Sequence, residues 1–198
     1  RDPERACWLW AVLLAERVEG KTPWTWLDEY AKQAKSPARL TGVKGLLAER
    51  QGRPGEAIDE LSHSLALDPE QHALRQILFS ALLGQGRIGE ARAQADWFAR
   101  KVEGGESVLR SYLAEMLTRL GDTPAALAQW EILSQGSPDV SYYAVEHAQA
   151  LVRLNRADEA VKLLTERLAR APDTRIFETL VDIAALRADA RAELDWST

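Results

Sequence analysis

Apolar residues recur along this chain in short stretches that each fit one face of an α-helix, and glycine or proline separates the stretches. Four short segments at these separations align with one another: Gly52–Ala57, Gly86–Ala91, Gly121–Ala126 and Asn155–Ala160. The alanines that end the segments follow one another at a nearly constant step of about 34 residues. A fixed step of this length predicts a repeated pair of helices.

The residues at the separations are those that helix ends favour. Glycine or asparagine stands where the first helix of each pair should end: Gly52, Gly86, Gly121 and Asn155. These residue types predict a left-handed C-terminal cap. Five prolines that follow a Ser, Thr or Asp are interpreted as first-turn residues behind an N-cap: Pro23, Pro37, Pro69, Pro124 and Pro138.

The pattern resembles the tetratricopeptide repeat (TPR), in which Trp-x2-Leu-Gly-x2-Tyr, Ala-x3-Phe and Pro recur over about 34 residues. The third repeat carries six residues in the expected positions: Leu113, Ala114, Leu117, Ala126, Trp130 and Pro138. The second repeat departs most, because Ala95 replaces the large aromatic residue and no proline closes the repeat. The resemblance implies an all-α fold, a right-handed α-solenoid of antiparallel helix hairpins.

The same frame predicts how the chain is divided. Residues 1–37 are expected to form a divergent leading hairpin, and four repeats are placed at 38–71, 72–105, 107–140 and 141–174. Residues 175–198 are expected to form a terminal capping helix or half repeat, with a break near residue 188. The chain starts without Met, and we interpret it as part of a longer protein with further domains.

Composition narrows the possible partners and compartments. The net charge is −5 and no run of five Lys or Arg occurs, so a nucleic-acid partner is not expected. The most apolar run covers residues 6–15, which is too short to span a bilayer as a helix. Cys7 is the single cysteine, which excludes an intramolecular disulfide and a multi-cysteine zinc site. A soluble protein of the cytoplasm or the periplasm fits these features.

Catalytic patterns are missing from the sequence. The segment Gly84–Gly89 matches the glycine spacing of a dinucleotide-binding loop, but a predicted helix precedes it where that chemistry needs a strand. None of His63, His72 and His147 has a second histidine four residues away, as a zinc-binding helix requires. We therefore predict no catalytic residue, no metal ligand and no cofactor.

In the family that the chain resembles, the first helix of each hairpin lines a concave groove. Transferring the frame gives a candidate partner-binding lining: Arg39, Leu46, Glu49, Arg50, Gln76, Ile77, Ser80, Leu83, Ser111, Tyr112, Glu115, Arg119, Tyr142, Glu146, Gln149, Arg153, Thr179 and Ile183. Tyr112 and Tyr142 are candidate aromatic anchors, and three arginines at one position of the repeat are a candidate basic row. The alternative for each residue is ordinary packing or solvation at a helix end.

The leading function hypothesis is a protein-interaction scaffold that binds a peptide or partner protein in the groove. A second hypothesis is an accessory or regulatory segment of a larger bacterial enzyme, or of a polysaccharide-export or assembly protein. A third hypothesis, an enzyme in its own right, has no residue pattern behind it. No membrane-embedded segment is expected.

Overall fold

The computed structural model describes residues 25, 27, 37–102 and 106–196, with side chains as far as residue 188. The predicted leading hairpin of residues 1–37 therefore lies almost entirely outside the described residues. Within the described ranges no β-strand occurs. The helices there are α1 (Pro37–Arg50), α2 (Pro54–Leu67), α3 (His72–Gly84), α4 (Ile88–Lys101), α5 (Ser107–Arg119), α6 (Thr123–Gly136), α7 (Ser141–Arg153), α8 (Ala157–Arg170) and α9 (Thr174–Trp196).

Two compact units divide the chain, unit 1 (Arg1–Asp96) and unit 2 (Trp97–Thr198). In unit 1, α2 packs against both α1 and α3. In unit 2, each helix from α5 to α9 packs against the next one, and α9 also packs against α7. The predicted all-α class, a solenoid of stacked helix hairpins, is confirmed.

The turns inside the hairpins have one common geometry. The residue two positions after each first helix has a positive φ, which is 67° at Gly52, 70° at Gly86, 76° at Gly121 and 60° at Asn155. The next residue in each turn donates its N–H to a carbonyl five residues earlier: Arg53 to Ala48, Arg87 to Leu82, Asp122 to Leu117 and Arg156 to Leu151. This bond belongs to a Schellman cap, so the predicted left-handed helix ends are confirmed.

The repeated alanines lie at the centre of the hairpins. Ala57, Ala91 and Ala160 are 0% exposed and Ala126 is 1% exposed. A side chain this small allows the second helix to approach the first closely. The large residue four positions later fills the space one turn on, since the large residues in this position are also fully buried: Leu61, Trp130 and Leu164.

Two local predictions are wrong. Pro69 and Pro138 lie in the turns that precede α3 and α7, not inside the first helical turn, because these helices begin only at His72 and Ser141. The break expected near residue 188 is absent, since α9 continues from Thr174 to Trp196. No Gly or Pro interrupts this segment, and its Ala, Leu, Arg and Glu residues all favour a helix.

The buried Arg75 and the partly buried Arg110 link neighbouring elements in a way that the sequence pattern did not predict. In unit 1, Arg75 donates to Gln94 Oε1 at 2.8 Å and to the carbonyl of Pro69 at 3.0 Å. In unit 2, Arg110 donates to Gln129 Oε1 at 2.6 Å and to the carbonyl of Val102 at 3.0 Å. Each arginine thus connects its own hairpin to the backbone before it. The glutamine follows the arginine by 19 residues in both cases. This repeated spacing is the feature of the sequence from which the links could have been predicted.

Candidate functional site

The first helices of unit 2 present most of their predicted lining to solvent. Seven of the predicted residues on α5 and α7 are partly or fully exposed, and we call them the unit 2 first-helix face: Tyr112, Glu115, Arg119, Tyr142, Glu146, Gln149 and Arg153. Arg119 and Arg153 are exposed at the last turns of their helices, and the other five are partly buried. The face therefore combines an aromatic, partly buried centre with basic groups at one end.

Tyr142 connects the two helices of this face. Its hydroxyl donates a hydrogen bond to Glu115 Oε1 at 3.2 Å, which joins α7 to α5. Its ring meets the fully buried ring of Trp130 edge-on, with 5.7 Å between the centroids. Burial, together with the carboxylates of Glu115 and Glu146, raises the pKa of Tyr142 well above its usual value of 10.0. The phenol is therefore a neutral donor with a fixed position.

Glu146 is the second carboxylate of the face. Burial raises the pKa of Glu146 above its usual value, Arg153 lowers it, and Glu115 raises it again. An incoming N–H donor would stabilise the charged form of Glu146, which burial and Glu115 disfavour. The centre of the face is thus better suited to donors than to acceptors.

A second aromatic contact supports the α5 side of the face. Tyr112 packs edge-on against Phe98, with 5.7 Å between the ring centroids, and Phe98 is 0% exposed. Each tyrosine of the face therefore rests on a buried aromatic ring and keeps part of its own ring exposed. Rings held in this way lose little conformational entropy when they take part in an interface.

The predicted lining residues of unit 1 lie on α1 and α3. Arg39, Glu49 and Arg50 are exposed on α1, and Leu46 is partly buried there. The α3 residues are all partly buried, and they are Gln76, Ile77, Ser80 and Leu83. These residues remain a predicted surface of unit 1.

Three predicted lining residues lie in the interior of unit 2. Ile183 is 3% exposed and belongs to the main apolar core. Ser111 and Thr179 are 8% and 9% exposed, and their hydroxyls donate to backbone carbonyls of their own helices. These three side chains offer almost no surface to a partner, so we leave them out of the proposed binding face.

Other candidate chemistry receives no geometric support in the described part of the chain. The glycine-rich segment Gly84–Gly89 connects the end of α3 to the start of α4, so a helix stands where a dinucleotide-binding loop needs a strand. No three His, Cys, Asp or Glu side chains converge among the described residues. None of the described helices is both long and apolar enough to cross a membrane.

His147 lies on the inner side of α7, where it contributes to packing. It is 9% exposed, and its Nδ1 lies 2.9 Å from the hydroxyl oxygen of Ser134 on α6. Burial lowers the pKa of His147 from its usual value of 6.5. Among the charged groups around it, Arg156 and Arg167 lower this pKa further, whereas Glu131 and Glu159 raise it.

We expect acid to destabilise unit 2 through His147. The unfolded chain binds a proton at this residue more tightly than the folded chain, so stability is complete above pH ~6.5 and declines as the pH falls below that value. The free energy of unfolding, measured by urea titration between pH 7.5 and 5.5, should therefore fall. The variant His147→Gln should flatten this decline. His63→Gln, a substitution at an exposed site on α2, should leave it unchanged, and an equal decline in both variants would contradict the assignment.

Comparisons with known proteins agree on the fold. No protein-family model matches the chain, and no curated protein matches it. Several solved structures do match the chain. A MamA fragment from Desulfovibrio magneticus RS-1 aligns with a TM-score of 0.62 at 14% identity, covering 88% of this chain and 99% of that one.

Two further solved structures extend the comparison. YrrB, described as a TPR protein with an unusual peptide-binding site, aligns with a TM-score of 0.59 at 18% identity, over 86% of this chain and 87% of its own. Yeast Tom70 aligns with a TM-score of 0.53 at 15% identity, over 95% of this chain and 47% of its own. At these identities the likeness concerns the fold, and the chain has the TPR-like fold that its repeat pattern predicted.

Proposed function

We propose that this TPR-like array is a protein-interaction scaffold, and that the unit 2 first-helix face binds a peptide segment of a partner protein. The observation that carries the proposal is the hydrogen bond from Tyr142 to Glu115 at 3.2 Å. It fixes an aromatic ring and a carboxylate from two hairpins on one partly exposed face. A side chain that is already ordered loses less entropy on binding than a mobile one.

The chemistry of the face defines the kind of segment it fits. Tyr112 and Tyr142 supply exposed ring area for an apolar or aromatic side chain. Glu115 and Glu146 supply acceptors for backbone N–H groups or for a basic side chain of the segment. Arg119 and Arg153 at the helix ends supply donors for carbonyl or carboxylate groups at its other end. YrrB provides one precedent for a peptide-binding site on this fold.

The proposal is tested with peptides selected from a displayed random library against the full chain. Tyr142→Phe retains the ring and removes the hydroxyl, so the affinity of selected peptides should fall by about 3- to 10-fold, the equivalent of one hydrogen bond. Glu146→Gln retains the shape and removes the charge, and should have at least a comparable effect.

Glu166 on α8 is exposed and lies outside the face, so Glu166→Gln is the matched control and should leave affinity unchanged. If the selected peptides bound all three variants with the same affinity, their binding site would lie outside the unit 2 first-helix face. Failure to select any binding peptide would contradict the proposal directly.

A further inference from the structure

The last helix of unit 2 has two apolar faces, and only one of them is packed. Ile176, Thr179 and Ile183 are buried against the rest of the unit, at 2%, 9% and 3% exposure. On another side of α9, Phe177 is 58% exposed and Val181 is 51% exposed. Three exposed alanines continue the same helical face, and we call the set the α9 stripe: Phe177, Val181, Ala184, Ala185 and Ala188.

The preceding hairpin shows what normally covers such a face. When α7 and α9 are aligned on their first residues, Phe177, Val181 and Ala184 of α9 correspond to three residues of α7. These are Ala144, Ala148 and Leu151, which are 1%, 0% and 4% exposed. They share one core cluster with Ala160 and Leu164 of α8, the helix that packs on α7. By this correspondence, the α9 stripe is a helix-packing surface.

Within the described residues, no helix is available to cover the stripe. Among the second helices, α2, α6 and α8 already bury their small and large apolar pairs at 0–1% exposure: Ala57 and Leu61, Ala126 and Trp130, Ala160 and Leu164. In α4, Ala91 and Phe98 are both 0% exposed. A helix that covers the α9 stripe must therefore supply an apolar face of its own.

Charge indicates the character of that occupant. Glu178 and Asp182 are exposed directly beside Phe177 and Val181, so one flank of the stripe is acidic. A second copy of this chain, packed on the stripe with its α9 antiparallel about a two-fold axis, would bring the same acidic flank against it. A helix with Lys or Arg along the corresponding edge would instead form ion pairs there.

We propose that the α9 stripe is a docking surface for an amphipathic helix of a partner protein. The helix packs its apolar side chains over Phe177 and Val181 and directs its bulkiest ones towards the small residues Ala184 and Ala188. Its basic side chains lie beside Glu178 and Asp182. This surface is separate from the unit 2 first-helix face, and a scaffold that used both would hold two partners.

The probes are two lactam-stabilised 14-residue helical peptides with the same leucine and alanine face, one with lysine along the flank and one with glutamate. Fluorescence anisotropy with the full chain should show at least tenfold tighter binding of the lysine peptide. Phe177→Ser and Val181→Ser should each weaken it at least tenfold. Because both side chains are exposed, circular dichroism should show an unchanged fold in either variant.

A charge reversal gives the sharper test. The double variant Glu178→Lys with Asp182→Lys should reverse the preference, so that the glutamate peptide binds more tightly. Ile132→Ser, at a 49% exposed position on α6, should leave both affinities unchanged. Equal binding of the two peptides, or binding that ignores Phe177 and Val181, would overturn the proposal. So would sedimentation showing a dimer that Val181→Ser dissociates, because the stripe would then serve a second copy.

Discussion

Trp130→Ala is expected to lower the free energy of unfolding by about 3–5 kcal/mol, the range for truncating a large buried aromatic side chain. Trp130 is 0% exposed and is the largest fully buried side chain in the described part of the chain. Its indole N–H donates to the hydroxyl oxygen of Thr118 at 3.1 Å, and its ring contacts Tyr142 and Tyr143. Truncation would leave a cavity and would deprive that hydroxyl oxygen of its donor. Urea denaturation followed by circular dichroism measures the loss.

Ile132, which lies on the same helix as Trp130, provides the control for this variant. Ile132 on α6 is 49% exposed, so Ile132→Ala should change the free energy of unfolding by no more than about 0.5 kcal/mol. Trp130→Ala should also weaken selected peptides, because Tyr142 would lose the ring on which it rests. If Trp130→Ala cost no more than Ile132→Ala, the hairpin core described for unit 2 would be wrong.

Gly45→Ala should destabilise unit 1 by about 1–3 kcal/mol, the usual cost of overpacking. A Cβ added at Gly45 would lie 2.6 Å from Leu61 Cγ, 2.8 Å from its Cδ2 and 3.1 Å from its backbone nitrogen. Leu61 is fully buried, so it cannot move aside without disturbing α2. The crossing of α1 and α2 thus requires a residue without a side chain.

Gly55→Ala is the matched substitution, and we expect it to change the stability of the protein in the opposite direction. It lies in α2, and a Cβ there would meet no atom within 4 Å. Gly55→Ala should therefore stabilise the protein by about 0.5–1 kcal/mol, because alanine loses less backbone entropy in a helix. Thermal and urea denaturation of the two variants would settle the point. Destabilisation by both, or by neither, would argue against the α1–α2 crossing.

The sequence predicted those features of the fold that depend on local backbone chemistry. Only a few residue types tolerate the left-handed conformation, so the Gly or Asn that recurs at one position of each repeat, as at Gly52 and Asn155, marks a helix end. The small residue at a helix crossing is equally restrictive, which is why Ala57 and Ala160 located the hairpins. These constraints act within a few residues and can be read without knowing the fold.

The candidate face was harder to predict, because it depends on helix rotation. A repeat frame of constant length placed Thr179 and Ile183 in the lining. The step from the start of α7 to the start of α9 is, however, one residue shorter than the step from α5 to α7. A shift of one residue turns a side chain by about 100°, which places Ile183 at the position of the buried Ala150 instead of the partly exposed Gln149. The bond between Tyr142 and Glu115 was also beyond the pattern, since it joins two repeats across 27 residues.

The arginine links have a consequence for how such an array changes in evolution or by design. Arg75 and Arg110 each need a glutamine on the second helix of their own hairpin and a carbonyl in the preceding segment. The corresponding positions of the first and fourth repeats hold Thr41 and Ala144, which cannot make these bonds. A hairpin moved to another place in the array keeps its arginine–glutamine bond, but its arginine needs a carbonyl in the same position of the new preceding segment. Rearranged hairpins therefore have to keep the backbone geometry of the segment that precedes each arginine.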